Sequence, residues 1–157
     1  MKSKLVLVAS AFVSLAGTAA AESISCPDLT GAVQVAHCPP EEELRYTFTG
    51  YCSDNARMYD KNDHCTDYAS YRRLKNVAPW ESVDGAFRTY VSCDLPAAEV
   101  KAAKATRIAV VKQGTLTQVV CSYGDGIKFS YRTKAACKIE GDAACGSDNA
   151  RCKATCD

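Results

Sequence analysis

The chain has 157 residues, of which 47% are hydrophobic and 24% charged, and its formal net charge is +1. It lacks the Lys/Arg surplus from which proteins that bind nucleic acid or anionic membranes draw their affinity. Its ten cysteines point to an oxidised, cross-linked protein, provided the chain leaves the cytoplasm.

The N-terminus meets that condition. Lys2 and Lys4 precede the apolar run LVLVASAFVSLAG, which ends in Ala19-Ala20-Ala21 before Glu22. A basic start, a short apolar centre and small residues at the end describe a secretory signal peptide over residues 1–21, cleaved after Ala21. The run is too short to span a bilayer, for which about 20 residues are needed. No cysteine follows the cleavage site directly, so no lipid anchor is expected. What remains is one domain over residues 22–157, and without Lys2 and Lys4 its net charge is −1. The alanine-rich cleavage site resembles those of bacterial exported chains, which places the protein in the periplasm or beyond.

Cys26, Cys38, Cys52, Cys65, Cys93, Cys121, Cys137, Cys145, Cys152 and Cys156 all follow the signal, an even number that reads as five bridges. Spacing offers Cys26–Cys38 and Cys52–Cys65 as local loops and Cys93–Cys121 as a link between strands. If Cys152 and Cys156 share a helix face they cannot bond each other, and Cys137 and Cys145 become their nearest partners.

Residues 22–40 read as irregular chain, since Cys26-Pro27 and Cys38-Pro39-Pro40 restrict the backbone to turns or extended conformations. Glu41-Glu42-Glu43 reads as a solvated edge. Residues 44–51, LRYTFTGY, alternate as a strand with Tyr46 and Phe48 inward, Thr47 and Thr49 outward, and Gly50 near its end. A helix is expected from about Thr66 to Lys75, capped by Asp63 or Thr66 and broken by Pro79-Trp80. Residues 86–93 alternate again, with Phe87, Thr89, Val91 and Cys93 on one side. Asp94 then looks like the cap of a helix over AAEVKAAKA. Residues 106–134 form the clearest unit, a three-stranded antiparallel meander turned by Gln113-Gly114 and Gly124-Asp125-Gly126. Its inner face carries Thr117, Val119, Cys121 and Tyr123, then Ile127, Phe129 and Tyr131. The tail after Ala135 should be a cysteine-stapled segment with one short helix. Together these elements make an α+β, disulfide-stapled domain with an antiparallel sheet and one or two short helices.

The string SDNAR follows a cysteine twice, at 53–57 and 147–151. Asp54, Asn55, Asp148 and Asn149 could be read as a duplicated calcium loop, but calcium takes six or more oxygens, and helix capping accounts for Ser and Asp at these places. His37-Cys38 and His64-Cys65, with Asp63 and Asp67 near the second pair, could form a tetrahedral zinc or copper site only if those cysteines are reduced. No Cys-x-x-Cys, nucleophile elbow, zinc-protease or phosphate-loop motif occurs. His64 with Asp60, Asp63 or Asp67 is the one acid–base set a small hydrolase could use.

The aromatic and arginine residues Tyr59, Tyr68, Tyr71, Arg72, Arg73 and Trp80 crowd one polar segment, and Tyr, Trp and Arg dominate contact hot spots. Tyr68, Tyr71, Arg72 and Trp80 are therefore the expected binding residues. The sequence thus favours a non-catalytic exported protein that binds or inhibits a protein or glycan and needs no cofactor. A stapled hydrolase and a periplasmic metal binder are the alternatives.

Overall fold

The computed structural model describes residues 21–60, 63–146 and 151–157. The expected signal segment up to residue 20 lies outside them, as do Asp148 and Asn149 of the second SDNAR string.

Two antiparallel sheets share one core. The small sheet has the order β1-β9-β8, built from Glu22–Ser25, Lys153–Cys156 and Cys137–Glu140. The large sheet has the order β2-β3-β4-β7-β6-β5, built from Val33–Gln34, Val77–Glu81, Arg88–Ser92, Lys128–Thr133, Leu116–Tyr123 and Ala105–Gln113. The expected meander is β5-β6-β7. Gly114, at φ 62°, takes the left-handed conformation that closes the first turn, and Gly126, at φ 76°, does the same at the second. Thr117, Val119, Cys121 and Tyr123 are all buried, as their alternation requires, and so are Ile127 and Phe129.

These side chains pack against Ile24, Cys26, Leu29, Ala154 and Cys156 from the other layer and its flanks. Trp80, Phe87 and Val91 extend the core along β3 and β4, and Val100 of α4 (Ala97–Ala102) closes it. The Tyr123 hydroxyl donates to the Pro27 carbonyl at 2.6 Å, and burial pushes its pKa well above the ordinary tyrosine value.

The remaining helices form a lobe: α1 (Glu41–Tyr51), α2 (Asn55–Met58) and α3 (Tyr68–Lys75). The described residues therefore hold four short helices instead of one or two. Residues 44–51, expected as a strand, are the body of α1. Three acidic residues in its first turn complement the partial positive charge of a helix N-terminus. Leu44, Phe48 and Tyr51, spaced i, i+4 and i+7, form one stripe facing α3, a helical pattern that the shorter alternation masks. As a result Tyr46 points to solvent, while Thr47 accepts a hydrogen bond from Tyr71 at 2.8 Å.

Other boundaries differ in detail. Asp67, and neither Asp63 nor Thr66, caps α3 by accepting from the Ser70 amide at 2.7 Å. Asp94 does not cap α4, whose N-cap is Pro96. Pro79 and Trp80 lie inside β3, after the helix has already ended at Lys75. The tail carries β8 and β9, so Cys156 lies on a strand and Cys152 just before it.

All ten cysteines are bridged, as Cys26–Cys121, Cys38–Cys93, Cys52–Cys65, Cys137–Cys156 and Cys145–Cys152. The expected Cys52–Cys65 bridge is present. Cys137 and Cys145 are the partners of Cys156 and Cys152, as the spacing suggested, although no helix face is involved: Cys137 and Cys156 face each other across β8 and β9. Cys26–Cys38 and Cys93–Cys121 are not formed. Sheet pairing carries Cys26 to the middle of β6 and Cys38 to the end of β4, so proximity in sequence does not decide the partner.

The bridges nest: Cys26–Cys121 encloses Cys38–Cys93, which encloses Cys52–Cys65, and Cys137–Cys156 encloses Cys145–Cys152. In addition, the sulfurs of Cys26, Cys145 and Cys152 lie within 4.8 Å of one another, so two bridges touch in the core. Nesting of this kind cannot be reached by pairing cysteines in sequence order. The reduced chain should regain a single species only in a thiol–disulfide buffer that permits reshuffling, and oxidation without added thiol should leave isomers separable by reversed-phase chromatography. Intact mass measurement of the protein from its native source, alkylated under denaturing conditions, should show no label before reduction and ten labels after it.

Candidate functional site

The expected binding residues separate in the structure. Tyr68, Tyr71 and Arg72 stand on α3 and meet α1, whereas Trp80 is buried in the large sheet at 4% exposure. Trp80 pairs with Thr89 across β3 and β4, and its side chain belongs to the core.

Within the lobe, Phe48, Tyr51, Tyr68 and Tyr71 form an aromatic cluster with ring centroids 5.2–6.5 Å apart. Cations flank it. The Arg45 guanidinium sits 4.6 Å from the centre of the Tyr68 ring, and Arg57 and Lys75 approach the Tyr51 ring at 4.3 and 5.0 Å. Tyr71 is the buried centre, and its hydroxyl bonds Thr47, which in turn donates to the Glu43 carbonyl.

Arg72 locks the lobe to the sheet. Its two terminal nitrogens each reach an Asp94 oxygen at 2.9 Å, a bidentate pair, while its Nε reaches Glu41 at 3.3 Å. Asn76 adds a bond to Asp94 at 3.0 Å, and the Tyr68 hydroxyl donates to Glu41 at 2.7 Å. One guanidinium thus joins the start of α1, the body of α3 and the end of β4. The Arg72 hydrogen bonds hold the Asp94 carboxyl below the ordinary carboxylate range. Glu41 is lowered as well, first by the Tyr68 hydroxyl and then by Arg72. Tyr68 is raised by burial and by its bond to Glu41.

What the lobe offers to a partner lies beside this clamp. Tyr46 is 82% exposed on α1, and Tyr59, just past α2, is 81% exposed, with Met58 next to it at 53%. An open groove of about 870 Å³ runs along α1, lined by Glu43, Tyr46, Gly50, Tyr51, Arg57 and Lys75. Sequence reasoning had placed Tyr46 in a core and left Arg57 and Lys75 unassigned. The i, i+4, i+7 stripe of Leu44, Phe48 and Tyr51 is the signal that would have exposed Tyr46.

Neither histidine lines the groove along α1, although His64 sits within the lobe between α2 and α3. His37 is exposed, and His64 is partly exposed in the 3-10 turn Asp63–Cys65. Cys38 and Cys65 are oxidised in different bridges and offer no thiolate to a metal. The sulfur cluster of Cys26, Cys145 and Cys152 is likewise spent in two disulfides. Asp54 of the first SDNAR string accepts from the Ala56 amide at 2.9 Å and caps α2. Among the described residues no helix is long and apolar enough to cross a membrane.

Comparison with known proteins gave no match: no family model, no curated protein and no solved structure is significantly similar to this chain.

The clamp makes the lobe sensitive to acid. Asp94, Glu41 and Asp67 all have depressed values, so their stabilisation is fully present above the ordinary values of 3.8 for aspartate and 4.5 for glutamate and is lost as pH falls through the lower folded values. Tyrosine fluorescence should report loosening of the lobe as pH drops below about 4, the ordinary carboxylate range. Asp94→Asn should lower stability at neutral pH and flatten that acid transition.

Proposed function

We propose that this is an exported, non-catalytic interaction protein whose helical lobe binds a protein partner in the periplasm or beyond. Five bridges fit an oxidising compartment. The observation that carries the reading is the pair of Tyr46 and Tyr59, each about four-fifths exposed, on a lobe whose geometry is fixed by covalent bonds.

A large aromatic side chain in water is an unused source of contact area, and tyrosine adds a hydroxyl for hydrogen bonding at little entropic cost. Here Tyr46 lines a groove with the cations Arg57 and Lys75, and Met58 and Tyr59 directly follow Arg57 in the chain, the mixture of residues found at contact hot spots. Cys52–Cys65 ties the loop after α1 to the start of α3, and Cys38–Cys93 ties the approach to α1 to the end of β4. The partner would therefore meet a surface already ordered, which lowers the cost of association. The groove is open and runs along a helix, suited to a segment of another protein.

Photo-crosslinking from a benzoyl-phenylalanine placed at Met58, carried out in the exporting cell, should give one discrete adduct. Tyr46→Ala with Tyr59→Ala should remove that adduct without changing the melting temperature. The same adduct from the label at exposed Val83, or its persistence in the double variant, would sink the reading.

A further inference from the structure

We propose that the outer face of the large sheet is a second, independent docking surface, and that its occupant is an acidic polysaccharide bearing carboxylates. The small sheet and α4 cover the inner face of the large sheet, but among the described residues no element covers the outer one. Its side chains fall in rows set by the strand register. Arg107, Ser122 and Lys128 form one row; Ala109, Val120, Ser130, Arg88 and Glu81 form the next; Val111, Gln118 and Arg132 form a third.

This face gathers the cations Arg88, Arg107, Lys128 and Arg132 against the carboxylate of Glu81. Only Arg88 has a carboxylate partner among the described residues, with Glu81 at 3.2 Å. The chain as a whole is near neutral, so the excess of cations on this face is local. An anion is the complement of such a surface.

The face is also shaped. β4 pairs with β7 only at Arg88 and Ser130, and a hollow of about 680 Å³ opens there, lined by Pro79, Glu81, Arg88, Tyr90, Ser130 and Arg132. Tyr90 is 72% exposed and lies directly across from Pro79. A tyrosine ring beside a proline gives the flat apolar platform against which the C–H face of a sugar ring stacks. Two arginines at the rim can each take a carboxylate in a bidentate pair. The remaining lining residues are Trp80, Gly85, Ala86 and Thr89; Trp80 is 4% exposed with its side chain in the core, so the apolar surface offered to a ligand is that of Tyr90 and Pro79 among charged groups. These features favour an acidic glycan over an acidic protein.

Calorimetric titration with oligogalacturonate, neutral dextran of equal length and poly-glutamate tests this on the full mature protein. Oligogalacturonate should bind, dextran should not, and affinity should fall as salt rises. Arg88→Glu with Arg132→Glu should weaken binding by at least about tenfold, as expected for lost charge-assisted contacts. Tyr90→Ala should weaken it severalfold, and Tyr46→Ala should leave it unchanged. If the double reversal fails to fold, Lys128→Gln and Arg132→Gln read the same surface without reversing charge. Absence of oligogalacturonate binding, equal binding of poly-glutamate, or indifference to Tyr90→Ala would each overturn the proposal.

Discussion

The Cys26–Cys121 bridge is the constraint on which the two layers depend. It joins the end of β1 to the buried middle of β6, across 95 residues of chain, and Cys121 is fully buried where it does so. In the chain-entropy model a loop near 100 residues long is worth about 4.7 kcal/mol, a large part of the stability of an ordinary domain. Because that bond lies between the layers, it also fixes which face of the meander is covered. The small sheet can sit only on the side where Cys121, Val119 and Tyr123 point, and the face carrying Arg107, Lys128 and Arg132 is left to solvent.

A second constraint acts at the helical lobe, where polar contacts take over from apolar ones. Leu44 and Tyr71 are its buried apolar centre, and too little is buried there to hold three short helices by itself. Cys52–Cys65 and Cys38–Cys93 supply the covalent part, and Arg72 with Asp94, Glu41 and Asn76 supplies the directional part. Residues that looked like binding groups are consumed in holding the lobe together, since Arg72 joins three elements and Tyr71 fills the space between α1 and α3. The side chains left over for contact are their neighbours, Tyr46, Met58 and Tyr59.

The chain thus separates two kinds of surface. The lobe offers exposed aromatic rings with acidic and basic residues mixed around them, and the outer sheet face offers cations around a tyrosine and a proline. The two differ in chemistry because one is built on short helices tied by bridges and the other on strand register. Five bridges in a chain long enough to bury a core without them indicate a protein kept rigid in an oxidising setting.

Local pattern determined much of this protein. The meander was legible because glycine turns and strict alternation over β6 and β7 admit one arrangement, and α3 and α4 were legible from period and propensity, though not their caps. The even cysteine count likewise implied complete bridging. Where two periods fit the same residues, as in LRYTFTGY, sequence could not choose, because a strand needs a neighbour to pair with and a helix needs a face to cover it. Only tertiary structure supplied Tyr71 as that cover, and with it the outward turn of Tyr46. The partners of Cys26, Cys38 and Cys93 and the burial of Trp80 were decided in the same way, since each depends on which strands lie side by side, a relation between residues far apart in the chain.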